Sequence, residues 1–167
     1  DKSLSIRSLL IGSQSYGICK IKNLPKAEDV LSTINGLRRF GVKIIFKNRN
    51  CYLYGNGLNG FNYKKNISIN AGNSGTFARL LLGLLIKSPF SVKIIGDSSL
   101  SKRDFQRIIN PLQQFGAKFF SNHKKNLPLK IIGSDYLRPI NYFEKKGSAQ
   151  CKSSVIFGGM RAEGTTI

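Results

Sequence analysis

Asn70-Ala-Gly-Asn-Ser-Gly-Thr-Phe-Ala-Arg79, running on into Leu80-Leu-Leu-Gly-Leu-Leu-Ile86, is the stretch on which the reading of this sequence turns. A short apolar segment (Ile67, Ile69) leads into a turn carrying Gly72 and Gly75, and an amphipathic helix follows. Ser74 or Thr76 is placed to cap that helix by accepting from a backbone N–H that has no partner within the first turn. The two glycines leave backbone N–H groups open to close approach. Together with the positive end of the helix dipole they form a seat for a phosphate or carboxylate. Arg79, one turn into the helix, adds a full charge.

The same junction recurs. Ser3-Leu-Ser-Ile-Arg7 heads Ser8-Leu-Leu-Ile-Gly12, and Ser148-Ala-Gln-Cys-Lys152 heads Ser153-Ser-Val-Ile-Phe157. A second pair of helical segments repeats with a constant offset of 75, from Asp29 to Asp104, Ile34 to Ile109, Asn35 to Asn110, Leu37 to Leu112 and Phe40-Gly41 to Phe115-Gly116. Phe105, Ile108, Ile109, Leu112 and Phe115 fall on one helical face, with Gly41 and Gly116 where C-terminal caps belong. Gly36 and Pro111, both poor helix formers, hold equivalent places. Strands are expected at 18–21, 42–46, 51–54, 92–95, 117–120, 129–132 and 165–167. Alternating helices and strands imply an α/β architecture with parallel pairings. The long period implies a closed, pseudo-threefold domain rather than a solenoid. The first unit covers about 1–72, the second about 73–146, and a third begins at 147–167. In such a domain the helix N-termini converge, bringing Lys2, Ser3, Arg7, Gly75, Ser148 and Gln150 near one axis.

Composition narrows the function. A chain of 167 residues, 41% of them hydrophobic, buries one medium core and holds no run of membrane-spanning length. Cys19, Cys51 and Cys151 have neither disulfide-framework nor zinc spacing, which points to reduced thiols in a cytoplasmic setting. His123, among Asn122, Lys124 and Lys125, reads as a solvated loop residue, and little else could ligate a transition metal. The net charge of +19 would suit nucleic acid, but the cations are spread along the chain in runs no longer than pairs, without a nucleic-acid signature. A basic surface facing a small anionic substrate fits as well. Asp1-Lys-Ser3 reads as the middle of a motif and Thr165-Thr-Ile167 as the inside of a strand, so a fragment is expected.

Asp1-Lys-Ser-Leu-Ser-Ile-Arg7, Gly72-Asn-Ser-Gly-Thr76 with Arg79, Gly96-Asp-Ser-Ser-Leu-Ser-Lys-Arg103, and Gly147-Ser-Ala-Gln150 with Lys152-Ser153 together resemble the EPSP synthases, 3-phosphoshikimate 1-carboxyvinyltransferases. The resemblance runs through the whole sequence. It implies an inside-out α/β barrel of βαβαββ units, one of two domains hinged around a cleft, with the second domain lying outside this sequence. It implies transfer of the enolpyruvyl group of phosphoenolpyruvate to the 5-hydroxyl of shikimate 3-phosphate, with no metal or organic cofactor. By position, Lys2 would touch both substrates and serve in proton transfer, provided burial and neighbouring cations lower its pKa. Ser3 and Arg7 would hold shikimate 3-phosphate, Ser148 and Ala149 its phosphate, and Gln150 would reach both substrates. Gly75 would admit phosphoenolpyruvate to the helix start, and Arg103 would fork onto its carboxylate or phosphate.

Departures from the family pattern are Ile6 (often polar), Asn70 (often Asp) and Leu80 (Pro in some members). Gly75 is the residue that goes with sensitivity to glyphosate. No nucleic-acid or membrane partner is implied, and the complete protein is expected to be a monomer. Three alternatives stand beside this reading. The sister transferase acting on UDP-N-acetylglucosamine usually carries Lys-Asn at the first motif and a cysteine near the 96–103 region, where this sequence has Lys2-Ser3 and no cysteine. The others are a basic nucleic-acid-binding module and a non-catalytic remnant.

Overall fold

A computed structural model of the chain describes residues 1–48, 50–121 and 125–167. The expectation for His123 lies outside the described residues. The first unit contains α1 (Lys2–Ser13), β1 (Tyr16–Lys22), α2 (Glu28–Arg39), β2 (Lys43–Lys47) and β3 (Asn50–Asn56). The chain continues with β4 (Ile67–Asn70), α3 (Gly75–Leu84) with a 3₁₀ turn at Leu85–Lys87, β5 (Val92–Ile95), the short α4 (Ser98–Ser101), α5 (Gln106–Gln114), β6 (Lys118–Ser121) and β7 (Leu129–Ile132). Helix α6 (Ala149–Gly159) follows. Six of the seven expected strands form within about two residues of their expected bounds.

The pairings differ from expectation. Strands β1, β3 and β2 form a sheet in that order, antiparallel throughout. Strands β4, β5, β7 and β6 form the other, in which only β4 and β5 run parallel. Helical crossovers account for the parallel pair. Where a strand follows its neighbour after only two residues, as β3 follows β2, the chain reverses and the ladder is antiparallel. The segment 165–167 is not a strand. Ile167 exchanges backbone bonds with Ile140 and Tyr142 (3.0 and 2.7 Å), and the pairing goes no further.

Helix α3 is the centre of the molecule. Phe77, Ala78, Leu80, Leu81, Leu82 and Leu84 are all fully buried, as a helix apolar on every side must be. Helices α1, α2, α5 and α6 pack around it. The face expected on α5 is the buried one, with Phe105, Ile108, Ile109, Leu112 and Phe115 enclosed. Each such side chain contributes about 1.5–3 kcal/mol of transfer free energy. Gly36 has a packing reason, since a Cβ there would stand 2.3 Å from Cζ of Phe77. Gly41, at φ +81°, ends α2 in the left-handed conformation expected of a C-terminal cap. Cys51 and Cys151 are buried free thiols and Cys19 is half-buried. Among the described residues no helix is long and apolar enough to cross a membrane.

Candidate active site

Three helix starts are built alike. The Asp1 carboxylate caps α1 by accepting from Leu4 N at 2.8 Å, Ser74 caps α3 from Phe77 N at 3.2 Å, and Ser148 caps α6 from Cys151 N at 3.3 Å. Of the two caps open for α3 in sequence, Ser74 is the one used. Thr76 is engaged elsewhere, and each helix keeps some of its first N–H groups free of an intrahelical partner.

Side chains tie the heads together. From α1, Arg7 donates through Nε to Ser153 Oγ at 3.1 Å and through Nη2 to the Ala149 carbonyl at 3.4 Å, while Nη1 reaches the Ser3 carbonyl at 3.1 Å. From α3, Arg79 Nη1 donates to Gln150 Oε1 at 2.9 Å, and Gln150 Nε2 donates to Thr76 Oγ1 at 3.0 Å. Arg7, Ser3 and Ala149 thus form one cluster, and Gln150 joins α6 to α3.

Arg103 reaches the same place from the segment after α4. Its Nη2 donates to Asn73 Oδ1 at 2.9 Å, and Asn73 Nδ2 donates to Asp97 Oδ2 at 2.7 Å. Asp97 also caps α4 through Leu100 N at 2.7 Å. A carboxylate one residue removed fixes the amide, and the amide fixes the guanidinium. Arg79 lies over the Phe105 ring at 5.0 Å and bonds the Asp104 carbonyl at 3.2 Å. Burial first, and then the charge of Arg103, push its pKa down from the usual arginine value, though a guanidinium remains charged. Two cations are therefore held close with neutral acceptors as their direct partners, an arrangement that favours an anion between them.

Gly75 lies beside both guanidinium groups. A Cβ built on it would stand 2.9 Å from Arg79 Nη1 and 3.1 Å from Arg103 Nη1. The space left by the missing side chain is bordered by two guanidinium groups at the first residue of a helix. Asn70, where Asp is common, still accepts from Gly72 N at 2.9 Å and stabilises the turn in which Gly72 takes φ +57°. Ile6 and Leu80, the other departures, are core residues.

Lys2 differs from its expectation. Its ammonium pairs with Asp29 of α2 at 3.1 Å and its side chain is 61% exposed. The burial and cationic neighbours expected around a proton-transferring lysine are not what surround it here. Asp29, Asn73, Asp97, Thr76 and Ser153 were not singled out in sequence as site residues. The one local signal was the Asp-Ser-Ser of a helix start at Asp97, which names a cap and not its second partner across the chain.

Comparisons with known proteins bear on the family. The family model for EPSP synthase (3-phosphoshikimate 1-carboxyvinyltransferase) matches residues 1–167. The chain belongs to the EPSP synthase family. The 3-phosphoshikimate 1-carboxyvinyltransferase of Vesicomyosocius okutanii is 46% identical over 166 residues, covering 99% of this chain and 38% of the relative. That of Streptococcus pyogenes serotype M1 is 43% identical over 167 residues, covering 99% and 39%. The EPSP synthase structure from Acinetobacter baumannii superposes with a TM-score of 0.92 at 37% identity, covering 99% of this chain and 38% of that one. The chain thus spans well under half the length of the relatives it matches.

Proposed function

We propose that the helix heads form one wall of an enolpyruvyl-transfer site, and that the full-length gene product transfers the carboxyvinyl group of phosphoenolpyruvate to shikimate 3-phosphate. The observation that carries this is the space at Gly75 between the guanidinium groups of Arg79 and Arg103. It has the charge and donor geometry for the phosphate or carboxylate of phosphoenolpyruvate. Arg7, Ser3, Ser148 and the Ala149 backbone, clustered at the heads of α1 and α6, suit the second anion, shikimate 3-phosphate. Gln150, bonded into α3 from α6, stands between the two and reaches both. Lys2 would exchange its Asp29 partner for substrate.

The reaction adds the 5-hydroxyl oxygen to C2 of phosphoenolpyruvate, the hydroxyl giving its proton to a base, while an acid protonates C3 to a methyl group. The tetrahedral intermediate then loses a proton from that methyl group as the bond from C2 to the phosphate oxygen breaks, restoring the double bond and releasing phosphate. Fixed donors act strongly on such charges once a facing domain excludes water. Lys2 serves proton transfer in that closed state, which would supply the burial it lacks here. No cofactor is called for, the site is cytoplasmic, and glyphosate competes with phosphoenolpyruvate at Gly75. Sustained turnover at millimolar glyphosate and low phosphoenolpyruvate would count against that last point.

Residues 1–167 then make one incomplete domain of a monomer, with units at about 1–72 and 73–146 and a third starting at 147. Helix α2 packs against α1 and α3, and α5 against α3 and α6. By the same order a further helix belongs between α6 and α1, where Leu4, Ile11, Ile156 and Met160 are exposed and a cavity of about 660 Å³ runs along α6.

The test is phosphate release from phosphoenolpyruvate by the full-length product, with shikimate 3-phosphate and UDP-N-acetylglucosamine offered separately and Lys2→Ala beside the wild type. Release with shikimate 3-phosphate alone, abolished in Lys2→Ala, is the expected result. Release with the sugar nucleotide, or with neither acceptor, overturns the assignment.

A further inference from the structure

The outer face of the β1-β3-β2 sheet shares no residue with the helix heads. The antiparallel register sets three rows across it: Ile18, Tyr54, Lys43; Lys20, Tyr52, Ile45; Lys22, Asn50, Lys47. The alternate positions Ile44, Cys51 and Leu53 are buried, so these rows face solvent. Ile18 and Ile45 are exposed, and Tyr16 at the end of the face is 88% exposed. Lys43 Nζ lies 4.8 Å from the Tyr54 ring centroid and Lys20 Nζ lies 5.8 Å from that of Tyr52. None of the eight acidic residues falls between Val30 and Gly96, so β2 and β3 carry no carboxylate, and neither does β1.

We infer that this face binds single-stranded nucleic acid, with bases stacked on Tyr52 and Tyr54 and phosphates met by Lys20, Lys22, Lys43 and Lys47. Two tyrosines at alternate positions of one central strand stand about 6.5–7 Å apart, within reach of successive bases of an unstacked strand. Stacking is tolerant of sequence because every base offers a π-face, and Ile18 and Ile45 widen the apolar surface beside the rings. Lys20 and Lys43 already lie near the ring faces, so a base that takes the ring leaves the ammonium beside it for the phosphate. A duplex hides its base faces and has no use for the tyrosines. The sequence pointed away from a nucleic-acid partner because its cations are scattered. The sheet gathers four of them onto one face, Lys20 and Lys22 from β1 and Lys43 and Lys47 from β2, on either side of the tyrosine strand β3.

The second sheet supplies the control. Its outer row reads Ser68, Lys93, Lys130, Phe120, which gives two lysines and one aromatic ring. The experiment is fluorescence anisotropy of a labelled oligothymidylate of about twelve nucleotides, titrated with the full-length product over a range of salt. Tyr52→Ala/Tyr54→Ala, which leaves the charge unchanged, is expected to weaken binding by roughly tenfold for each stack lost. Lys20→Glu/Lys43→Glu should weaken it further and flatten the salt dependence. The charge-matched Lys93→Glu/Lys130→Glu should change affinity by less than about threefold. Enolpyruvyl transfer by the same variants reports that they are folded. The inference is overturned if wild type does not bind, if the tyrosine variant binds like wild type, if both lysine pairs weaken binding equally, or if a duplex of the same length binds as tightly.

Discussion

At the head of α3, Gly75 leaves a space bordered by the guanidinium groups of Arg79 and Arg103; two turns later, Gly83 leaves a space that the backbone of α6 fills. A Cβ on Gly83 would stand 2.2 Å from the Ser154 carbonyl oxygen, whereas one on Gly75 would meet only the ends of flexible side chains. The arginines at the two poles differ in the same way. Arg7, Arg79 and Arg103 end on hydroxyl, amide and carbonyl acceptors that a ligand can replace. Arg161, at the end of α6, is 7% exposed, donates to Gln14 Oε1 at 3.4 Å, and faces the buried Tyr63 hydroxyl. Burial pushes the Arg161 pKa down and that of Tyr63 up, and the Arg161 charge opposes the rise on Tyr63. No hydrogen bond of normal geometry forms at Arg161 Nε or at the Tyr63 hydroxyl. A cation there lies where helix C-termini gather and suits their dipoles. Cations at helix starts oppose the dipoles, and that local cost is what a bound anion would relieve.

The sharpest test of this contrast is Gly83→Ala, expected to cost about 3 kcal/mol in urea denaturation because α3 and α6 must separate. A loss below about 1 kcal/mol would mean that the helices are not locked there. Next, Arg103→Ala in the full-length product should lower kcat/KM for phosphoenolpyruvate about a hundredfold with little change in stability, since the side chain is exposed.

Glu144 supplies a pH-dependent test. Hydrogen bonds from the Tyr142 hydroxyl, and then from Lys146 N and Arg107, hold its carboxyl at about 2, well below the ordinary 4.5, against the opposing effect of burial. It anchors the segment that leads into the α6 head. A depressed carboxylate stabilises the fold above pH 4.5, and that contribution is lost as pH falls from 4.5 toward about 2. Glu144→Gln should therefore cost about 2 kcal/mol near neutrality, with the gap from wild type closing over that window. A gap independent of pH would remove the carboxylate from the account. The smallest stability effect belongs to Gly75→Ala, within about 0.5 kcal/mol, measured beside a KM for phosphoenolpyruvate raised about tenfold. If Gly75→Ala destabilises as much as Gly83→Ala, the two ends of α3 are not different in kind.

Much of this was legible because it is local. The cap of α3 at Ser74 or Thr76, the left-handed glycine at Gly41, and the buried stripe from Phe105 to Phe115 each depend on residues within a few positions of one another. The offset of 75 exposed the repeated order of elements. Strand direction was not legible, because the alternation of helix and strand suggested crossovers where only two residues separate β2 from β3. The stacking of Phe61 on Phe40, with Tyr63 edge-on to it, also escaped notice, since a loop places them there. At the site, the basic residues could be named from sequence while the groups that orient them could not. Asp97, Asn73 and Arg103 are joined only when the turn before α3 meets the start of α4. Lys2 finds Asp29 only because α2 lies alongside α1. Charge pairing over such separations is a property of packing.

The measurement that bears most directly on the central claim is calorimetric titration of shikimate 3-phosphate into the full-length product, comparing Arg7→Ala with Lys87→Ala. Each removes one positive charge, the first at the helix heads and the second at the far end of α3. Arg7→Ala is expected to weaken binding about a hundredfold, and Lys87→Ala by no more than about twofold. Equal weakening by both would reduce the site to net charge, and an Arg7→Ala variant that binds like wild type would contradict the placement of the anion at the helix heads.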